Sequence, residues 1–162
     1  MAPGLRGANR TGRPFTGDYA GDLLYATLVK FGFAKGDYGA KPQDGLSLVN
    51  TAITNAVRCV PPQNKPVGAE VNSCRPFLVN TISSYPNLEV MLTLGKIAHD
   101  SLARTLSVRV ASVPFGHNIG HDMDGHRVIS SYHCSRYNTN TGRLTVAMFD
   151  DVFNSIMKSL AY

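Results

Sequence analysis

A chain of 162 residues that is 43% hydrophobic and 17% charged has the makings of one globular domain with a core of its own. No apolar run reaches membrane-spanning length and the first residues lack the apolar centre of a signal peptide, so the expectation is a cytoplasmic protein with no membrane partner. The net charge of +5 favours an anionic partner such as nucleic acid, and three unevenly spaced cysteines make no disulfide framework.

The first 22 residues hold five glycines, two prolines, three arginines and Asn9, with no apolar periodicity. Such a loop lets backbone approach a ligand and presents cations to it, unless it is only a flexible terminus. Helical spacing of Leu23, Leu24, Thr27, Leu28 and Phe31 predicts a helix over 18–33, closed by Gly32 and Gly36. A polar connection covers 34–46. The apolar, β-branched run that follows predicts a buried strand at 53–58, stopped by Pro61 and Pro62. A second helix is expected over 67–85, with Val71, Cys74, Leu78, Val79 and Ile82 turned inward and Pro86 ending it. Residues 88–94 read as a parallel strand, 97–106 as a third helix and 107–127 as irregular. A strand at 128–133, a polar loop at 134–143 and a last helix at 144–160, N-capped by Thr145, complete the chain. Strands alternating with helices imply a parallel sheet covered on both faces.

Three segments concentrate chemistry. In the opening loop Asn9, Arg10, Arg13 and Asp18 surround glycines 4, 7, 12 and 17. In the middle, Cys59-Val-Pro-Pro-Gln-Asn64-Lys-Pro precedes Cys74-Arg-Pro-Phe. Cys59 and Cys74 read either as two structural thiols or as ligands of one metal or cluster, and a cluster usually needs four thiolates. Asn64 has the acceptor and donors to read a base edge, or is a turn former. The third segment runs from Ser131 to Thr145, at the carboxyl end of a strand, where open α/β sheets place their ligands. There His133 can donate to a developing oxyanion, while Arg136 and Tyr137 suit phosphate contact and base stacking. His117, His121 and His126 match no usual zinc spacing.

Taken together, these segments resemble the family 5, or type b, uracil-DNA glycosylases. Ala2-Pro3-Gly4 through Asn9-Arg10-Thr11-Gly12-Arg13 to Phe15-Thr16-Gly17-Asp18 is similar to that family's first motif. Arg58 to Pro66 with Cys74-Arg-Pro-Phe77 resembles its middle segment, and His133-Cys-Ser-Arg-Tyr-Asn138 with Thr141-Gly-Arg-Leu-Thr145 its second active-site motif. The resemblance spans essentially the whole chain, in order. It implies one domain over 1–162, a three-layer αβα sandwich around a short parallel sheet of four strands, and a monomer. It implies hydrolysis of the N-glycosidic bond of uracil, and of other deaminated bases, flipped out of DNA. His133 would stabilise the departing base anion, and Asn138 would support His133 or the base. Gly4, Asn9, Phe15 and Asn64 would form the base pocket, with Phe15 stacking on the base. Arg10, Arg13, Arg136, Tyr137 and Arg143 would hold the DNA. The position that positions the attacking water in many uracil glycosylases matches Gly4 here. Backbone carbonyls, DNA phosphates and Asp18 are then the candidates for water activation.

The resemblance also implies a [4Fe-4S] cluster with four cysteine ligands, of which Cys59 and Cys74 match two. The other two, and the first strand of the sheet, lie ahead of the first motif in the family. The expectation is therefore an N-terminally shortened member whose Met1 stands inside a longer reading frame, with its first strand missing and its cluster incomplete. The competing reading is an inactive fragment that keeps only basic nucleic-acid binding.

Overall fold

The computed structural model describes residues 2–3, 8–41, 43–61 and 65–161, with backbone only at 9 and 10. Its elements are α1 (Ala8–Thr11), α2 (Tyr19–Lys30), β1 (Ala34–Lys35), β2 (Ser47–Leu48), α3 (Gly68–Ser83) and β3 (Val90–Leu94). They continue with α4 (Lys96–Thr105), a 3-10 turn (Val110–Ser112), β4 (Ile119–Met123), β5 (His126–Ser131), α5 (Arg136–Asn140) and α6 (Val146–Leu160). No helix among the described residues is long and apolar enough to cross a membrane.

Local chemistry sets the helix ends. The Asp18 carboxylate accepts from Gly21 N–H at 3.1 Å and starts α2. The chain leaves α2 through Gly32 at φ +79°, which lets Phe33 N–H reach back to Leu28 O at 2.8 Å. Glu70 accepts from Val67 N–H at 2.9 Å at the start of α3, and the Thr145 hydroxyl accepts from Met148 N–H at 3.2 Å at the start of α6.

The main sheet has the order β3-β5-β4. β3 and β5 run parallel, from Val90 opposite Arg127 to Leu94 opposite Ser131. β4 runs antiparallel to β5, and Asp124 (φ +50°) and Gly125 (φ +78°) form the two-residue turn between them. Among the described residues the expected parallel sheet is thus a mixed one, with one parallel and one antiparallel pair in the main sheet. The expected irregular stretch at 107–127 contains a strand, because Asp-Gly accepts the paired left-handed backbone that a tight hairpin needs. The expected strand at 53–58 is irregular. Its apolar residues are satisfied by burial of Ala56 and Val57, the latter against Val71 and Cys74 of α3, and that burial needs no ladder.

Helices cover both faces, which makes the fold α/β. α6 packs Val152 and Ile156 on Ile129, Val90 and Leu92. α4 packs Leu102 and Ala103 on Val128, Met123 and Met91 on the other face. Alternation along β3 and β5 sends neighbouring residues to opposite layers. α2 joins through Leu24, Tyr25 and Leu28, which pack with Phe149 and Phe153 of α6 and with Cys134. A small β1–β2 hairpin lies beside α2. The outer edge of β3 lines an apolar trench of about 820 Å³, which runs from Phe15 past Ile53 and Leu78 to Leu160.

Phe153 is the aromatic hub of this packing, with ring centroids at 5.3 Å from Phe149, 5.4 Å from Phe31 and 6.0 Å from Phe33. Truncating so central a ring leaves a cavity among Phe31, Phe33 and Phe149. Phe153→Ala is expected to destabilise the fold by about 3–5 kcal/mol, read as a lower urea midpoint at unchanged slope.

Candidate active site

The parallel ladder ends where Gly95 N–H donates to Ser131 O at 2.8 Å. Two residues further on, His133 leaves the sheet at the carboxyl end of β5. Gly95 sits beside it at φ +91°, and a Cβ there would lie 3.4 Å from His133 Cβ. A glycine at this junction gives the imidazole room and lets the chain turn directly into α4. Burial pushes the His133 imidazole down to about 4, so the ring is neutral at physiological pH. A neutral imidazole carries one N–H donor and one acceptor nitrogen. Asn138 of α5 donates from its side-chain amide to the His133 backbone carbonyl at 2.8 Å. It therefore holds the backbone of the histidine.

Phe15 faces His133, with ring centroids 5.9 Å apart and planes at 31°. Its backbone is left-handed, at φ +56°, a strained state for an aromatic residue that costs of order 1–3 kcal/mol and needs outside support. Two contacts supply it. The Tyr38 hydroxyl donates to Phe15 O at 3.1 Å. The first turn of α2 closes on the same carbonyl at Gly21, where any Cβ would collide with Phe15 O.

Arg13, expected on DNA, turns inward. Its guanidinium meets the Asp44 carboxylate as a fork, with Nη1–Oδ1 at 2.9 Å and Nη2–Oδ2 at 2.6 Å, and its Nε–H donates to Thr16 Oγ1 at 2.7 Å. The guanidinium carbon lies 5.2 Å from the Tyr25 ring centre and 5.5 Å from that of Tyr38. The Arg13 and Asp44 side chains are 20% and 4% exposed. The Arg13 fork, with the amides of Gly39 and Leu46, holds the Asp44 carboxyl well below the usual carboxylate range. Three of the five N–H donors of a guanidinium are thus committed inside the protein.

Asp18 is exposed and caps α2. It borders a shallow cleft with Gly17, Tyr19, Asp22, Ala40 and Arg136. The Arg136 guanidinium lies 5.2 Å from the Tyr19 ring centre and that of Arg143 lies 4.7 Å from the Tyr132 ring centre. Tyr137 is 73% exposed. Gly4 and Asn64, and the side chains of Asn9 and Arg10, lie outside the described residues.

His117 props the histidine loop from below. Its Nδ1 accepts from Tyr132 N–H at 3.3 Å, its Nε2–H donates to Met148 O at 3.2 Å, and its ring stacks on Tyr132 at 5.0 Å. Burial lowers its basicity too. His121 bonds Pro114 O through Nε2 at 2.9 Å. Gly95, Tyr19, Asp44, Tyr132 and the propping role of His117 are the parts of the site that the motifs left unread. The tight turn after β3 was the one local signal, for Gly95.

The sequence has three cysteines, one fewer than a four-thiolate cluster takes. Cys59 is exposed, Cys74 is buried on the inner face of α3 and Cys134 is buried. The Cys134 thiol donates to Ala20 O at 3.5 Å, and burial pushes it up to about 12, so it is a core thiol and no ligand. Among the described residues no group of three or more His, Cys, Asp or Glu side chains can hold a metal. These residues do not fit a four-thiolate cluster.

A helix-covered α/β sheet with a neutral histidine at its carboxyl end and an aromatic ring facing it is the setting in which kinship was found. A model of the uracil DNA glycosylase superfamily matches residues 1–157, and the chain belongs to that superfamily. Within it, the chain is 41% identical over 153 residues to the type-5 uracil-DNA glycosylase of Thermus thermophilus, covering 94% of this chain and 69% of that one. It is 39% identical over 163 residues to the type-5 uracil-DNA glycosylase of Mycobacterium leprae, covering 98% and 70%. The type-4 uracil-DNA glycosylase of Pyrobaculum aerophilum is 33% identical over 109 residues, 67% of this chain and 47% of its own length.

The neutral state of His133 has a measurable signature. In the unfolded chain the imidazole protonates near its ordinary 6.5, and in the folded protein near 4. Between those values the unfolded state binds the extra proton, so this group's contribution is present above 6.5 and is lost as pH falls towards 4. A histidine-resolved NMR titration should place the His133 midpoint near 4. A midpoint near 6.5 would show that the ring is solvated.

Proposed function

We propose that this protein is a monofunctional DNA glycosylase that removes uracil from DNA in base excision repair, with deaminated purines as further substrates. The observation that carries the reading is the neutral, desolvated His133 facing Phe15 at the end of the parallel strand pair. Breaking the N-glycosidic bond sends the bonding pair to the base and leaves positive charge on the sugar. A neutral N–H donor beside a base carbonyl stabilises that developing anion without itself bringing a buried charge. Phe15 stacks on the flipped base, and Asn64 reads its edge with Gly4 and Asn9 lining the pocket. Water then attacks the cationic sugar, with no covalent enzyme intermediate. Asp18, at the cleft beside Arg136, is the carboxylate assigned to orient that water.

The DNA backbone is held by Arg10, Arg136 and Arg143, and Tyr137 enters the groove where the base left. Arg13 is assigned to the scaffold of the Phe15 loop. Asn138 serves catalysis by holding the His133 carbonyl. Cys59 and Cys74 are the two positions matching cluster ligands in the resemblance, and no step here runs through a cluster. We take the protein to act as a cytoplasmic monomer built from one domain.

His133→Ala should slow single-turnover release of uracil about 100- to 1,000-fold with DNA affinity little changed. Salt-dependent binding without base release by the unaltered chain would instead favour the non-catalytic reading. Arg136→Ala should weaken binding to DNA of any sequence and lower the slope of log K against log salt by about one. An unchanged slope would remove Arg136 from the phosphate contacts.

A further inference from the structure

We propose that Asp44, which belongs to none of the three motif segments, is the positioning residue that fixes Phe15 against His133. The inference rests on reading those two rings as the walls of the base pocket. Asp44 sits in the loop between β1 and β2, 31 residues from Arg13. Its carboxylate does two things at once. It folds its own loop by accepting from Gly39 N–H at 2.8 Å and Leu46 N–H at 3.1 Å. It also grips Arg13 through both terminal guanidinium nitrogens.

The grip reaches Phe15 along two routes. On the first, Arg13 Nε–H bonds the hydroxyl of Thr16, a residue with no exposed surface, so both residues flanking the Pro14–Phe15 pair are tied. On the second, the loop that Asp44 folds also carries Tyr38. The Tyr38 hydroxyl donates to Phe15 O, and its ring stacks on Tyr25 at 4.6 Å between centroids. Tyr25 in turn donates to Pro14 O at 2.6 Å. The side-chain contacts from Arg13, Tyr25 and Tyr38 to residues 14–16 thus lead back to the Asp44 loop, the Arg13 guanidinium or α2, while the Thr11 hydroxyl adds a bond to Thr16 O at 3.4 Å and Thr16 N–H one to Arg13 O at 3.2 Å. Phe15 holds a left-handed backbone that an aromatic residue does not adopt unaided. A bidentate Arg–carboxylate pair fixes orientation as well as distance, which is what such a strained backbone requires.

A positioning role differs from a merely stabilising one in what it moves. Asp44→Asn keeps one acceptor oxygen, enough for either Gly39 or Leu46, and loses the ion pair. Arg13→Lys keeps the positive charge and loses the fork, and it serves where Asp44→Asn does not fold. In each variant that unfolds cooperatively, the Phe15–His133 nuclear Overhauser contact should disappear. The single-turnover rate of uracil release should fall about 10- to 100-fold, with KM within about twofold. In a Phe15→Ala background the same substitution should cost less than about twofold, because the ring it positions is gone. Retention of the Phe15–His133 contact in both variants, or the same rate loss with and without Phe15, overturns the proposal. If the unaltered chain releases no uracil while the ring contact still depends on Asp44, the functional reading fails and the positioning role stands.

Discussion

The register of β5 between α4 and α6 is the constraint on which the rest depends. Val128 is fully buried towards α4, and Ile129, next along the chain, is buried towards α6. A one-residue slip would exchange those two environments and break both layers at once. The parallel pairing with β3 locks the same register from the side, ending at Leu94 opposite Ser131. Because the ladder stops there, Gly95 and His133 emerge side by side on adjacent strands, one without a side chain and the other with an imidazole. The placement of His133 is thus a consequence of core packing at Val128 and Ile129, four to five residues back along the strand, about 13–17 Å of chain.

Electrostatics at the site divides by depth. The surface carries the net positive charge, with Arg136 and Arg143 each laid over a tyrosine ring. The inner wall carries no net charge. His133 is neutral because burial penalises its cation, and His117 behind it is pushed the same way. Among the described residues of the site, the cation that turns inward, Arg13, meets the Asp44 carboxylate in fork geometry. An unpaired buried cation there would be costly to desolvate. Pairing it leaves orientation as its contribution.

Much of this was legible in the chain. The helices α2, α3 and α6 follow from apolar spacing, with the cap at Thr145 for α6, α4 was expected at 97–106, and the post-strand place of His133 follows from the apolar run before it. The misreadings have specific causes. The run at 53–58 has the composition of a strand, yet composition records burial and says nothing of pairing. The β4–β5 hairpin was readable at Asp124-Gly125, but histidines and charges on β4 hide its alternation. Arg13 looked like a phosphate ligand because it is an arginine in a glycine-rich loop. Its partner Asp44 is 31 residues on, in a polar connection with no periodicity, and no local signal joins them. The roles of Gly95 and Tyr38 likewise depend on contacts that only the folded chain creates.

The same logic separates the arginines of the two active-site segments. Arg13 of the opening loop is consumed by the scaffold, whereas Arg136 and Arg143 lie on the segment that follows His133. That segment is not an independent flap. Ser135 starts α5 with its hydroxyl accepting from Asn138 N–H at 3.5 Å, the Asn138 amide holds the His133 carbonyl at 2.8 Å, and Leu144 N–H returns to Asn138 O at 3.0 Å. Leu144 is itself buried in the cluster shared by α2 and α6. The surface that presents Arg136 and Tyr137 is therefore bolted at one end to the histidine and at the other to the core. The surface of α5 is therefore tied to the His133 backbone both through the two residues between them and through the Asn138 hydrogen bond.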